Sequence, residues 1–525
     1  MKSRLLLVAS FAVFISGCIK EEDFDFTDIT FSSWNPEVAL PLVNASLGYS
    51  DVSGLSSADQ LTVDPTGRIV ITRSSTIFER TGKSFFTIPD QQSGFAIPID
   101  AVQAGMLNNT GSFTDTISQD ILFVLPAGQR LDKAILTEGT VEFQVLNQLP
   151  IDGNFEVSIP SLQISGVIFN TVFVVPALTV RTFSLDVSGY TLDISGSIPA
   201  NNLKVDFILG LSVTGVAINP GVSFDIISSI NAIDYSYLEG NLGIQDFAVP
   251  LDTVPLDIYG SGTGDIYYLN DPRLNLLIEN SIGVPSQLAN CLVQPIRKDG
   301  IPIYSSLLPT TSSYIIDFPA APGQIRSTEI PINSQNSSIV SSYAARPASV
   351  VYRADVGLNR PQIGNVNFIT DTSKIRVNLE SELPLSGYAE QLTILDTAEF
   401  NLTSIKEIDS LVFRIETRNG MPVSGRLQVL FLKNGIVTDS LFHVDDFYII
   451  EATPVDANGF AIGANINVHD ESINSGRLDR FYEADQVVFR AVMNTFSPPT
   501  PVAIRQADHL DIKLGVRVNL NLKFD

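Results

Sequence analysis

The residues best able to do chemistry in this chain are two cysteines and three histidines, and they lie far apart in sequence. His443, His469 and His509 show no His-Glu-x-x-His or comparable spacing, so a zinc site would need three distant strands to converge. No Gly-x-Ser-x-Gly elbow is present for a serine nucleophile. We therefore expect these histidines to be exposed strand or loop residues, the chain to need no cofactor or metal, and the protein not to be an enzyme.

Neighbouring acidic residues could supply an acid and a base, but their spacing is unsuitable. Asp470 and Glu471 are adjacent, and adjacent residues on a strand point to opposite faces. The run 456–459 begins like a calcium loop but lacks the later ligands, so it predicts a hairpin turn. The glycine-rich run 260–264 is followed by no Lys-Ser/Thr pair, which favours a strand connection over a phosphate-binding loop.

The start of the chain has the pattern of a targeting segment. Lys2 and Arg4 precede an apolar run from Leu5 to Ile15, which is too short to span a bilayer as a lasting helix. This pattern predicts a signal peptide over residues 1–17. The next residue is Cys18, directly after a small Ser-Gly pair.

The run Ile15-Ser16-Gly17-Cys18 resembles a bacterial lipoprotein box. In that family the cysteine thiol is acylated, and cleavage leaves the cysteine as the first residue of the mature chain. Each buried methylene of the acyl chains contributes about 0.8 kcal/mol to membrane binding, so several chains make a lasting anchor. The resemblance therefore implies lipidation at Cys18. The alternative is a soluble secreted protein whose signal peptide happens to contain cysteine.

The residues after Cys18 indicate which membrane face the protein occupies. Ile19 is not the aspartate that holds lipoproteins of this kind in the inner membrane, which implies delivery to the outer membrane. Lys20, Glu21 and Glu22 resemble the lysine-acidic-acidic export signal of Bacteroidota-type surface lipoproteins, which implies exposure to the cell exterior. The same charges also suit a solvated, self-repelling spacer. We expect residues 18–33 to be a lipid anchor and a flexible acidic tether, with the periplasmic face as the alternative.

Composition excludes several classes of protein. The chain has 525 residues, is 44% hydrophobic and only 17% charged, and therefore has enough apolar material for more than one folded domain. Its net charge of −25 argues against nucleic acid as a partner, since phosphate contacts need Lys or Arg. With Cys18 acylated, Cys291 has no disulfide partner and is expected to pack as a small apolar residue.

Beyond the tether, the sequence pattern predicts β-strands. Apolar and polar residues alternate repeatedly between Gly, Pro, Asn and Asp punctuation, most regularly from Leu510 to Phe524. That last strand is either very long or bends at Gly515. The run 64–67, Asp-Pro-Thr-Gly, predicts a hairpin turn. The fold class is therefore all-β, with several antiparallel β-sandwich domains behind the lipidated tether.

Two pairs of segments look like internal repeats. Residues 141–153 and 375–387 both run from a strand through Leu-Pro-aliphatic-x-Gly into a second strand. Residues 274–301 and 411–436 form a second pair, with Asp-Gly and Asn-Gly turns at matching places. The Leu-Pro pattern is similar to the β-sandwich domain of late-embryogenesis-abundant proteins of the water-stress group. That resemblance covers about 25 residues each time and concerns the fold only.

These repeats suggest a division into domains. We predict an N-terminal β domain over residues 34–108, in which Trp34 joins the tether to the fold. A first β-sandwich module would follow over 109–365, with a strand-rich insert at about 165–268, and a second module over 366–525.

Three functions are compatible with the sequence. The first is a non-enzymatic, surface-exposed lipoprotein that acts as accessory or scaffold subunit of an outer-membrane complex with an integral β-barrel protein. By resemblance in location and architecture, barrel-assembly, secretion and nutrient-uptake machines carry such lipoproteins. The second is a glycan- or host-surface-binding lipoprotein, for which the tyrosines of the insert (Tyr235, Tyr237, Tyr259, Tyr267 and Tyr268) could form a platform. The third is a hydrolase assembled from scattered Asp, Glu and His.

A short modification pattern also recurs. Five Asp-Ser/Thr-aliphatic or Asp-Thr-Ala triplets resemble the O-glycosylation site of Bacteroidota exported proteins, and a strand start is the alternative interpretation of each. They begin at Asp115, Asp252, Asp396, Asp409 and Asp439.

The anchor gives the first testable prediction. Mass spectrometry of the mature protein should find Cys18 at its N-terminus with acyl chains attached, and added protease should digest the protein on intact cells. A mature N-terminus at any other residue would contradict the lipidation. Protection from protease on intact cells, with digestion after the outer membrane is opened, would contradict the exterior location.

Overall fold

The structure of the chain is a computed structural model that describes residues 37–48, 60–213, 215–256, 266–304, 306–309, 311–360, 366–400, 408–443, 448–497 and 499–520. The predicted signal peptide, Trp34 and the glycine-rich run 260–264 lie outside these ranges, as do the predicted lipidation and export residues Cys18, Lys20, Glu21 and Glu22. Within them, no helix is both long and apolar enough to cross a membrane.

Strands dominate the described ranges. The first ten are β1 (Glu37–Leu47), β2 (Gln60–Val63), β3 (Ile69–Thr81), β4 (Gln91–Pro98), β5 (Ser112–Leu122), β6 (Gln129–Asn147), β7 (Gly153–Ile164), β8 (Val167–Val175), β9 (Val180–Asp186) and β10 (Thr191–Asp193). The next are β11 (Asn202–Ser212), β12 (Ser223–Leu242), β13 (Gln245–Pro255), β14 (Ile266–Leu269), β15 (Arg273–Asn280), β16 (Ser286–Ile296), β17 (Ser313–Ile316), β18 (Arg326–Ile332), β19 (Ser349–Leu358) and β20 (Asn367–Thr370). The last are β21 (Lys374–Pro384), β22 (Ser386–Glu390), β23 (Leu392–Glu399), β24 (Ile408–Asn419), β25 (Val423–Lys433), β26 (Ile436–Ser440), β27 (Tyr448–Ile450), β28 (Asn465–Ile473), β29 (Gln486–Thr495), β30 (Val502–Ala503) and β31 (Leu510–Leu520).

The helices of the described ranges are short. They are α1 (Ala101–Thr110), α2 (Ile339–Ala344) and α3 (Ser475–Glu483), with a 3-10 turn at Gly82–Phe85. α1 starts at a capping box, in which Asp100 accepts a hydrogen bond from the Gln103 amide and the Gln103 side chain accepts one from the Asp100 amide. It ends at Gly111, whose φ of +77° is a left-handed conformation that glycine adopts without steric cost.

The described strands fall into two compact units. The first contains β1 and β23–β31, and the second contains β2–β13 and β15–β21.

The first unit is a β-sandwich. One sheet has the strand order β1-β31-β24-β28, and the other has β23-β29-β25-β26 with β27 on β25. Phe413 of the first sheet lies 5.6 Å from Phe431 of the second, measured between ring centroids. Phe481 of α3 packs against both rings, at 5.3 and 4.6 Å, so aromatic side chains fill the space between the sheets.

The second unit contains two cores. Sheets β18-β15-β21-β3-β2 and β13-β19-β16-β17 face each other, and Phe78 stacks on Phe247 between them at 5.8 Å. The other core belongs to a ten-stranded sheet ordered β20-β12-β6-β10-β7-β11-β5, with β4, β8 and β9 on side branches. This sheet folds onto itself, because Phe143 of β6 lies 5.4 Å from Phe207 of β11.

The predicted all-β class with several antiparallel sandwiches is confirmed. The strand pairs of these sheets are antiparallel, and many strands bury alternate residues. In β31, for example, Leu510, Ile512, Leu514, Val516 and Val518 are buried as their alternation predicts. The predicted domain boundaries stay a prediction; of the predicted N-terminal domain, β1 belongs to the first unit and β2–β4 to the second.

A buried asparagine holds each of three corners where the chain leaves one strand for the next. At the end of β6, Asn147 donates from Nδ2 to the carbonyl oxygens of Ile151, Val175 and Pro176, at 2.8 to 3.1 Å, and accepts from the Leu149 amide at 2.8 Å. Backbone groups that would otherwise be buried without partners are thereby paired. The chain reversal predicted at residues 149–153 is therefore stabilised by the hydrogen bonds of Asn147.

The same arrangement recurs at the ends of β24 and β15. Asn419 donates to the carbonyls of Val423 and Glu451 and accepts from the Met421 amide. Asn280 donates to the Asp317 carbonyl and accepts from the Ile282 amide. In the remaining repeat segment Ser381 stands at the corresponding place and β21 continues to Pro384. The shared element of the repeats is thus a polar corner residue two positions before an aliphatic or Met residue.

The hairpin predicted at 64–67 is present between β2 and β3. Gly67 adopts φ +86° and donates from its amide to the Asp64 carbonyl at 2.9 Å. Burial acts to raise the pKa of Asp64, but hydrogen bonds from Thr66 and Arg68 outweigh it and lower that pKa to about 2. The turn is therefore held by a carboxylate that stays ionised at all ordinary pH values.

Replacing a corner asparagine should destabilise the fold strongly. We expect Asn147→Ala to lower the free energy of unfolding by about 3 kcal/mol, because several buried backbone groups lose their partner. The neighbouring exposed Gln148 makes one side-chain bond, to Asp225, so Gln148→Ala should cost less than about 1 kcal/mol. Urea unfolding followed by circular dichroism measures both; equal losses would contradict the role of Asn147.

Candidate functional site

The first unit has a groove of about 650 Å³ that crosses the edge strand β1 and its neighbours β31 and β24. Among the described residues β1 pairs only with β31, so its other edge offers unpaired backbone groups. Leu514 and Val516 point into the core, and Lys513, Gly515 and Arg517 therefore face outward. The groove is lined by residues 39–44 of β1, Arg414 and Glu416 of β24, and residues 513–517 of β31.

A proline and a glycine create the groove. The register of β1 against β31 shifts between Pro41, which pairs with Gly515, and Val43, which pairs with Leu514. Proline has no N–H for the ladder, and a bulge at an edge strand accommodates it. Gly515 also pairs with Arg414 on its other side, so the outward face has no side chain at this point. The sequence singled out Gly515 as a possible bend, but its pairing with Pro41 has no signal in either segment alone.

Ion pairs cross the sheet beside the groove. Arg414 binds Asp470 through two hydrogen bonds of 2.7 and 2.8 Å. Arg517 lies 2.8 Å from Glu37 on β1 and 3.4 Å from Asp470 on β28. Lys513 pairs with Glu416 at 3.0 Å. Three cations and three carboxylates therefore balance on a surface of a chain whose net charge is −25.

The Arg414–Asp470 contact sets the ionisation of this surface. The hydrogen bonds from Arg414 lower the pKa of Asp470, and those bonds also raise the pKa of Arg414. Both groups are therefore charged at neutral pH. Because these side chains are partly exposed, the ion pairs fix orientation more than they stabilise the fold.

The groove is lined by aliphatic residues and by charges that are already paired. Its described lining contains no histidine, cysteine, serine or tyrosine, and each charged side chain in it has an opposite partner. The free edge of β1 is the kind of sheet edge that can receive an extended peptide as an added strand, and the groove lies on the face of the same sheet.

The histidines do not converge. His469 lies in β28, half-buried, with Nε2 3.2 Å from Glu471 Oε2. His509 is an exposed loop residue 3.3 Å from Asp511, and His443 is exposed in another loop. The described part of the chain holds no group of three or more His, Cys, Asp and Glu that could bind a metal ion. Asp470 and Glu471 point to opposite faces, as adjacent strand residues should, since Asp470 meets Arg414 and Glu471 meets His469.

Two further sequence interpretations are confirmed by packing. Cys291 is buried between the two sheets of its sandwich, beside a cavity of only about 20 Å³, and burial raises the pKa of its thiol to about 12. The run 456–459 is a hairpin turn, in which the Asp456 carboxylate accepts from the amides of Asn458 and Phe460. The Cys291 thiol is thus enclosed in the core, and the Asp456 carboxylate stabilises its own turn.

The tyrosines proposed as a glycan platform are only partly described. Tyr235 is buried and donates its hydroxyl to the Phe86 carbonyl at 2.7 Å. Tyr237 is half-buried and bonds Glu239, and Tyr268 stacks on Tyr388 with ring centroids 4.3 Å apart. Tyr259 and the side chain of Tyr267 lie outside the described part. Tyr235 at least is unavailable to a sugar.

Comparison with known proteins identifies no family for this chain. No protein-family model and no curated protein matches the chain. Among solved structures, a protein of Parabacteroides distasonis described as secreted aligns over 66% of this chain and 99% of its own, at 10% identity and a TM-score of 0.19. A structure of infectious bursal disease virus, strain Gx, aligns over 90% and 82% of the two chains at 8% identity and a TM-score of 0.14. A peptide-N(4)-(N-acetyl-β-D-glucosaminyl) asparagine amidase aligns over 56% and 96%, at 10% identity and a TM-score of 0.16. TM-scores this low support no transfer of function or location.

The hydroxyl residues of the Asp-Ser/Thr triplets differ in their exposure to solvent. Thr116, Thr253 and Thr397 are exposed, and each preceding aspartate accepts a hydrogen bond from the threonine amide. The Ser440 amide also donates to Asp439, but its half-buried hydroxyl donates to the Phe442 carbonyl at 2.7 Å, and Arg477 binds Asp439. The side chain of Ser410 lies outside the described part.

If the triplets are glycosylated, the sugars should be on the accessible hydroxyls. We expect peptide mass spectrometry of the exported protein to find hexose-containing adducts on Thr116, Thr253 and Thr397 and none on Ser440. Thr→Ala at each exposed position should remove the adduct from that peptide alone. Modification of Ser440 with unmodified exposed threonines would contradict the assignment.

Proposed function

We propose that the protein is a non-enzymatic lipoprotein of the outer membrane, exposed to the cell exterior, that serves as an accessory or scaffold subunit of an outer-membrane protein complex. Two observations support the proposal: the open edge of β1, and the groove that crosses β1, β31 and β24 on the same sheet. The partner would be an integral β-barrel protein of a barrel-assembly, secretion or uptake machine.

The position of β1 in the chain supports this partner. Glu37 follows Cys18 by 19 residues, and a chain of that length spans at most about 65 Å. A lipid on Cys18 would therefore keep β1 within that distance of the membrane surface, where the loops of a barrel protein project.

The chemistry of the groove supports a peptide segment as the contact. An added strand would hydrogen-bond to the free edge of β1, and its outward side chains would lie beside the gap at Gly515. The ion pairs of Arg414, Lys513 and Arg517 leave no excess charge there, so a segment of balanced charge fits better than a polyanion or polycation.

A pull-down from detergent-solubilised envelope tests the proposal. The tagged full chain should recover a β-barrel protein in stoichiometric amount. Recovery of the lipoprotein alone would contradict the accessory role.

Filling the groove should break this contact. A Cβ at Gly515 would meet nothing nearer than the Leu40 carbonyl oxygen at 3.4 Å, so Gly515→Leu adds bulk on the outward face with little backbone cost. We expect it to reduce recovery of the partner by roughly tenfold. Gly94→Leu is the matched control, since Gly94 is an exposed strand glycine of the second unit whose Cβ would have equally open surroundings. Equal recovery with both variants would contradict the groove as the docking site.

A further inference from the structure

Strand β8 is an edge strand whose exposed face is aliphatic apart from Asn170. Among the described residues it pairs only with β7, so one of its edges has no strand beside it. Val167 and Val172 are 66% and 69% exposed, and Ile168 and Val174 are 45% and 47% exposed. Native edge strands are usually protected by lysine, proline or a bulge, and β8 contains no lysine or proline.

The chain around β8 carries no charge. From Val157 to Val180 there is no Asp, Glu, Lys, Arg or His, in a protein with a net charge of −25. The neighbouring carboxylate on β7, Glu156, lies opposite Val172 and accepts a hydrogen bond of 2.7 Å from Asn170. Other exposed aliphatic residues flank the strand, namely Ile164, Leu178 and Val180. Such a patch marks an interaction surface.

The sequence of β8 is complementary to itself. It reads Val-Ile-Phe-Asn-Thr-Val-Phe-Val-Val, and antiparallel pairing about its central residue, Thr171, places similar residues opposite each other except Asn170, which lies opposite Val172. Phe169 then lies opposite Phe173, Ile168 opposite Val174, and Val167 opposite Val175, with Thr171 opposite its own copy. We propose that two copies of this chain pair antiparallel through β8 around a two-fold axis at Thr171, which joins their sheets into one.

A second copy fits this edge better than an unrelated strand. A two-fold interface uses the same patch on both molecules, so self-complementarity of the strand is the property it requires. Two chains of charge −25 repel each other at long range, but ionic screening limits that repulsion to about 8 Å at physiological salt. The uncharged segment 157–180 keeps formal charge away from the contact itself. This inference concerns assembly with itself and does not depend on the proposed membrane partner.

Disulfide trapping tests the register. Cα atoms directly opposite each other in an antiparallel pair are about 4.5–5.5 Å apart, which a disulfide can bridge. Thr171→Cys in the full-length chain should therefore give a covalent homodimer when mild oxidant is added to the envelope. Val167→Cys is the control, because Val167 would lie eight residues along the strand from its own copy, about 27 Å. The unaltered chain, whose Cys291 is buried, should give none.

Cross-linking of neither variant, of both equally, or to a different protein would overturn the proposal.

A second test does not rely on cysteine. Val174→Lys places a charge opposite Ile168 of the second copy and should halve the protein mass found by analytical ultracentrifugation of the detergent-solubilised full chain. Val468→Lys, at a 54% exposed valine on another edge strand, should leave the dimer mass unchanged. A monomeric unaltered chain, or a Val174→Lys chain that remains dimeric, would overturn the assignment.

Discussion

The fold depends on hydrogen bonds that buried asparagines make to the backbone at the corners of the sandwiches. Each strand buries one face, so the chain must repeatedly pass between strands, and the backbone groups at the turn are then removed from water. Asn147, Asn280 and Asn419 supply the missing partners. Asn147 also bonds the Val175 carbonyl, which ends β8, and Asn419 ends β24, which lines the groove. The groove and the face of β8 thus each include a strand that ends at such an asparagine corner.

The two surfaces are chemically different. The groove beside β1 is flanked by ion pairs whose geometry is fixed by Arg414 and Asp470, while the face of β8 has no charge. The charges of the first surface are already paired within the chain. A partner whose side chains place like charges beside them would be disfavoured. The apolar face of β8 offers no such selection beyond shape and strand pairing. We therefore propose a particular partner for the first surface and a strand of the same sequence for the second.

Local sequence predicted the class of fold well because strands and turns are encoded locally. The alternation from Leu510 onward, the turn at 64–67 and the burial of Cys291 all follow from neighbouring residues. The lipid anchor and its export signal remain predictions, since they lie outside the described residues. Strand partners could not be predicted, because β1 pairs with β31 across almost the whole length of the chain. The groove could not be predicted for the same reason, since it arises only where Pro41 pairs with Gly515. The Asn280 corner could not be recognised as a third copy either, because two extra residues, Gly283 and Val284, change the spacing from the asparagine to its proline.

We propose that the protein accepts a strand of its partner along β1. Hydrogen–deuterium exchange of the mature full chain, alone and in its isolated envelope complex, measures this directly. The account predicts that amides of β1 exchange more slowly in the complex, while those of β28, the opposite edge of the same sheet, exchange at an unchanged rate. Exchange along β1 that is the same in both states would contradict it.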